Sequence, residues 1–341
     1  MKRLIAVLHI LASFYLCAED IEGYKKPPVE ILELVDVQRA PRSIIDDKGE
    51  KIFFLYRDSY KSIAQLSENE LRLAGLRVNP VTNISSRITY YNNIKFKAVS
   101  SKGTVQVSGL PDKPRIANFS WSPDQTLAAF THTTIKGVEL WIVSINDLKA
   151  RKLTNDFLNA NLGGVYRWYP DSSALLVKKL PDNRKPLIET SIQVPTGPAI
   201  SVSKGGKARN RTYQDLLKND TDKFNFELLA TSEIIKVNLK GKVENFLQSA
   251  MYRGISWSPD GNYIKVTRMK RPFSTIVTYG RFPYETVLFN KLGEELMIFD
   301  KSGLLEELPK GFMSVKKGKR KTGPKIERGA VSCGGRQFAV S

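Results

Sequence analysis

The sequence predicts an all-β fold, a β-propeller with about four recognisable blades in an incomplete ring. Three observations carry this reading. A turn centred on tryptophan recurs along the chain, with Trp121-Ser122-Pro123-Asp124 followed by Trp168-Tyr169-Pro170-Asp171 and Trp257-Ser258-Pro259-Asp260. The first two copies are 47 residues apart, which suits one four-stranded propeller blade. The segments between copies alternate apolar and polar side chains, as strands do, and long amphipathic helices are scarce.

The chain opens on what reads as a secretory signal over residues 1–18. Lys2 and Arg3 supply a positive start, Leu4 to Leu16 an apolar run, and Ala18 a small residue for cleavage before Glu19-Asp20. The run is shorter than the ~20 apolar residues that a spanning helix needs. Lipidation at Cys17 is the rival reading, but Tyr15 and Leu16 are bulky where small residues are expected. The expected location is secreted or periplasmic, with no membrane association beyond export.

Propeller blades are expected over residues 19–320. Each copy of the turn has the same physics: an aromatic closes one strand, Pro sets φ, and Asp with Gly or a polar residue completes the reversal. A short strand follows every copy, at Leu127 to Thr131, Ala174 to Lys178 and Tyr263 to Thr267. A weaker copy is visible at Ile44-Ile45-Asp46-Asp47-Lys48-Gly49, with Ile52 to Tyr56 behind it. Further strands are expected at Val138–Val143, Glu233–Val237 and Glu295–Phe299. Trp168 and Trp257 lie 89 residues apart, too far for one compact blade. An insertion is the favoured account, because Pro181 to Lys218 is rich in Pro, Gly, Asn, Lys and Arg and shows little strand alternation. Residues 321–341 read as an irregular tail, disordered or out of frame.

Composition excludes more than it suggests. The 341 residues carry a net charge of +19, of which residues 1–18 contribute +2 and residues 314–341 contribute +7. A body near +10 is basic without an organised nucleic-acid stripe, and the Lys316–Lys321 cluster lacks the interleaved aromatics of such a site. No nucleic-acid partner is expected. The two histidines are His9 and His132 and the two cysteines Cys17 and Cys333, so removal of the leader leaves one of each. A multi-His or Cys/His zinc site then has too few ligands. Neither a metal nor another cofactor is expected. His132 is read as a strand histidine, since it has no acidic neighbour in sequence to orient it. Trp121, Trp168 and Trp257 are expected to pack between blades rather than to cage a ligand. Asp124, Asp171 and Asp260 are expected as turn formers, without the denser ligand run of a calcium loop.

The Trp-Ser-Pro-Asp repeats, Gly137-Val138-Glu139-Leu140-Trp141, and the pair Arg271-Pro272-Phe273-Ser274 and Gly280-Arg281-Phe282-Pro283 resemble the N-terminal propeller of prolyl-oligopeptidase-type serine peptidases. The likeness is to their glutamyl-endopeptidase branch and runs from about Pro27 to about Arg320. It implies a propeller that restricts access to an α/β-hydrolase domain acting on peptides. If the branch's preference for Glu applies, Arg271 and Arg281 are the candidate substrate contacts, as partners for a carboxylate. The Gly-x-Ser-x-Gly elbow of such a hydrolase is missing from the sequence, where the nearest approach is Gly254-Ile255-Ser256-Trp257-Ser258. No catalytic residue is therefore assigned. The alternative is a self-contained periplasmic binding propeller of the Tol-associated type, without enzymatic activity.

Overall fold

The computed structural model describes residues 27–155, 157–189 and 213–306. The expected signal segment and irregular tail lie outside these residues, as does the middle of the expected insertion. The chain divides between Arg39 and Ala40 into two units. The first carries α1 (Val29–Val35), a seven-residue helix with no buried side chain.

The second unit holds four antiparallel blades of four strands each. Blade 1 is β1 (Arg42–Ile45), β2 (Lys51–Tyr56), β5 (Asn93–Ala98) and β6 (Val105–Gln106), with the short helix α2 (Ile63–Leu66) and the hairpin β3 (Leu71–Leu73) and β4 (Leu76–Val78) inserted after β2. Blade 2 runs β7 (Ile116–Trp121), β8 (Leu127–Thr133), β9 (Val138–Ser144) and β10 (Ala150–Lys152). Blade 3 is β11 (Tyr166–Trp168), β12 (Ala174–Lys179), β13 (Ser232–Asn238) and the first half of β14 (Val243–Trp257). The second half of β14 opens blade 4 and pairs with β15 (Tyr263–Met269), which β16 (Tyr284–Asn290) and β17 (Glu295–Ser302) follow. One continuous strand thus serves two blades. Among the described residues no core cluster joins the strands of blade 4 to β1, β2, β5 or β6 of blade 1, as clusters join the neighbouring blades, so this is an incomplete propeller.

Burial explains the strand sequences. Ala128 and Phe130 of β8 face blade 1 and pack with Phe53, Leu55 and Ile94. Ala129, between them, faces the other way and packs with Leu175, Val177 and Ile235 of blade 3. Ala174 and Leu176 of β12 in turn meet Ile264, Val266 and Val287 of blade 4. A strand covered on both faces has no solvent side, so its hydrophobic run is continuous rather than alternating. Segments such as Ala174–Lys178 are buried throughout for this reason.

The 89-residue gap is one blade carrying an insertion. β12 pairs directly with β13 from Ala174↔Asn238 to Lys179↔Glu233, so everything between these strands is excursion. It contains α3 (Asp220–Ala230), where the Asn219 side chain accepts the Asp222 N–H at 2.8 Å and caps the helix. This helix carries Phe226 and Leu229 into a core shared with Leu73 and Val78 of the blade 1 insertion and Val277 and Phe282 of the β15–β16 loop. The excursions of three blades therefore gather at the end of the array opposite the tryptophan turns.

Candidate functional site

The four turns between the first two strands of each blade are one structure repeated. The N–H of Asp46, Ser122, Tyr169 and Ser258 donates to the carbonyl five residues on, at 2.8–3.0 Å. Three residues after these positions, Gly49, Gln125, Ser172 and Gly261 all adopt positive φ, between 58° and 73°. The weak copy is thus in register with the others, with Ile45 in the tryptophan position. Asp46 does the work of the turn serines: its Oδ1 accepts Lys51 N–H at 2.9 Å, as Ser122 Oγ accepts Leu127 N–H at 3.0 Å and Ser258 Oγ accepts Tyr263 N–H at 2.9 Å.

The repeat aspartates are bound into these turns. Oδ1 of Asp124, Asp171 and Asp260 accepts the N–H two residues on, at 3.1–3.2 Å. Burial would raise the Asp124 carboxyl, but hydrogen bonds from Ser122 and Thr126 outweigh it and hold the pKa low. The Ser173 hydroxyl holds Asp171 low, and the Ser258 hydroxyl does so for Asp260. Trp121 packs against Phe53 of the preceding blade and Trp257 against Tyr169, each with ring centroids 4.7 Å apart. Trp168 is buried between blades 2 and 3.

These turns rim a cavity of about 710 Å³ walled by the first strands of blades 2, 3 and 4. The residue before each tryptophan, Ser120, Arg167 and Ser256, lines the cavity at equivalent positions of three consecutive blades. Tyr166 ties two blades together, its hydroxyl bonded to Ser120 Oγ at 3.1 Å and within hydrogen-bond reach of the Asn118 and Ala129 carbonyls, one of which takes its single proton. Burial pushes its phenol well above the ordinary range. Arg167 Nε donates to the Ile255 carbonyl of blade 4 at 3.2 Å. Among the described residues Asp47 is the one carboxylate lining the cavity, and Gln125 Nε2 donates to it at 3.2 Å.

The sequence-derived substrate contacts lie elsewhere. Arg271 follows β15 and is paired bidentately with Glu227 of α3, its guanidinium 5.6 Å from the Phe273 ring centroid. Arg281 closes a 3₁₀ turn, Tyr279–Arg281, in the same loop. Neither lines the cavity. His132 is buried in β8, where its Nδ1 accepts the Arg115 N–H at 3.2 Å and burial lowers its pKa. The acid missing from its sequence neighbourhood stands across the hairpin: Glu139 pairs with His132 in register. That carboxylate instead accepts Trp141 Nε1 at 2.8 Å and Lys152 Nζ at 3.2 Å. The channel positions were not singled out from sequence, although being one residue before each repeat tryptophan marks them.

Comparison with known proteins gives two curated relatives carrying the name "Probable glutamyl endopeptidase, chloroplastic". The one from Oryza sativa subsp. japonica is 33% identical over 87% of this chain, and the one from Arabidopsis thaliana 32% identical over 87%. The chain spans only about a third of their length, 33% and 32%. Among solved structures, the acylaminoacyl peptidase of Pyrococcus horikoshii is similar at a TM-score of 0.41 and 13% identity, over 79% of this chain and 33% of that one. No family model matches the sequence. Among the described residues no helix is long and apolar enough to cross a membrane.

Proposed function

Since this chain is a relative of the probable glutamyl endopeptidases, 33% and 32% identical over 87% of its length, we propose that it is the substrate-gating propeller of such a prolyl-oligopeptidase-type peptidase. The observation that carries the reading is 33% identity sustained over 313 residues, most of which fold as blades around an open cavity. A cavity of about 710 Å³ admits an extended peptide segment and refuses a folded domain, which is how a propeller selects among substrates. Peptide hydrolysis, with the glutamyl preference that the relatives' name states, belongs in this proposal to the whole peptidase. Export through residues 1–18 is part of the same reading.

Fluorescence anisotropy tests it, with labelled unfolded peptides of about ten residues set against a labelled folded domain of matched charge. Peptides are expected to bind and the folded domain to stay free. Binding of the folded domain as tight as that of the peptides overturns the gating role.

A further inference from the structure

We infer that Arg167 is the carboxylate-recognising residue of the cavity, with the hydroxyl of Ser256 beside it, and that the ligand group is a peptide carboxylate. The inference rests on the reading of the cavity as a peptide channel.

Three features point to it. Arg167 is exposed on an inner strand of blade 3 and lines the cavity. Its Nε donates to the Ile255 carbonyl at 3.2 Å, and among the described residues neither terminal nitrogen has a partner. The lining carboxylate, Asp47, is bonded to Gln125 and forms no ion pair with Arg167. A planar guanidinium with two free N–H-bearing nitrogens matches a carboxylate's two oxygens in a bidentate pair. Ser256 follows the residue that anchors Arg167 and offers a hydroxyl donor from blade 4, while Ser120, at the same ring position on blade 2, is engaged by the Tyr166 hydroxyl. Arg271, by contrast, already spends its fork on Glu227.

Intrinsic fluorescence reads the test, because three of the chain's four tryptophans line this cavity. The probes are a pentapeptide blocked at both ends with a central Glu, its Gln counterpart, and the Gln peptide with a free C-terminal carboxylate. The Glu peptide is expected to bind the unaltered chain at least ~10-fold more tightly than the blocked Gln peptide, with the preference weakening as salt rises. Arg167→Gln is expected to abolish the preference and Arg167→Lys to keep part of it, with near-UV circular dichroism confirming that both variants fold. A gain by the free-C-terminus peptide alone assigns the site to a chain end rather than an acidic side chain. Equal binding of all three peptides, or a preference that survives Arg167→Gln, overturns the role of Arg167 while leaving the peptide channel standing. If glutarate quenches in an Arg167-dependent way and no peptide binds, the carboxylate site stands and the peptide-channel reading falls.

Discussion

The backbone N–H of Asp124 donates to Ser172 Oγ at 3.1 Å, joining the turn of blade 2 to the turn of blade 3. Gln125 makes the equivalent link to Asp47 of blade 1. At the next junction, a Cβ on Gly261 would stand 3.0 Å from the Pro170 ring. The repeated turn is therefore a blade-to-blade coupling as well as a reversal. Ser172 holds its place at a positive φ of 59°, a conformation that costs a non-glycine residue about 1 kcal/mol.

Ser172→Ala keeps that backbone cost and deletes the acceptor. Ser172 is 4% exposed, so the Asp124 N–H would lose its partner at a part-buried junction. The expected loss is about 1 kcal/mol, read as a lower urea midpoint at unchanged m. Because each blade contacts only its neighbours, hydrogen exchange should rise at the blade 2–blade 3 junction before it rises in blade 4.

The turn was legible in the sequence because its chemistry is local: Pro and Asp act on their own backbone, and spacing then counts the blades. The degenerate copy at Asp46 was visible for the same reason, although its tryptophan is replaced by Ile45. What faces the channel was not legible, since Arg167 and Ser256 meet only when blades 3 and 4 lie side by side, 89 residues apart. Arg271 read as a free cation because its partner, Glu227, sits 44 positions earlier on a helix within the insertion. His132 read as lacking an acid because the hairpin that delivers Glu139 sets register by pairing, not by proximity in the chain.

Lys178 should make stability depend on pH. It is 1% exposed, its Nζ donates to the Leu162 carbonyl, and burial alone pushes its pKa down to about 7. The unfolded chain holds this proton up to the ordinary lysine value of 10.5, so between about pH 7 and 10.5 the unfolded state binds more protons than the folded one. Stability from this group therefore rises with pH through that window and is flat below it. Lys178→Met removes the penalty, which is several kcal/mol at pH 7, and leaves the Leu162 carbonyl without its donor. The variant is expected to melt above the unaltered chain at pH 7, with the two curves converging towards pH 10.5. A constant difference across that range would mean that Lys178 is charged in the fold.

The outer blades should make the chain self-associate. In β17, the outermost strand of blade 4, Leu296, Met297 and Ile298 are 48%, 50% and 38% exposed. On blade 1, Ile45 is 54% exposed and stands in register with Ile52 on the face turned away from blade 2. Inner blades bury both faces, so these two ends present the apolar surface and strand edge that the others have covered. The two ends differ, and contact between the blade 4 end of one copy and the blade 1 end of the next does not terminate itself. Light scattering after size exclusion is expected to show a mass that climbs with loading concentration. Met297→Lys places a charge on the blade 4 edge, where it should lower that mass while moving the melting free energy by no more than ~0.5 kcal/mol. A strictly monomeric chain with one sharp transition would show that these ends are not adhesive, and an unchanged mass in Met297→Lys would move the contact away from β17.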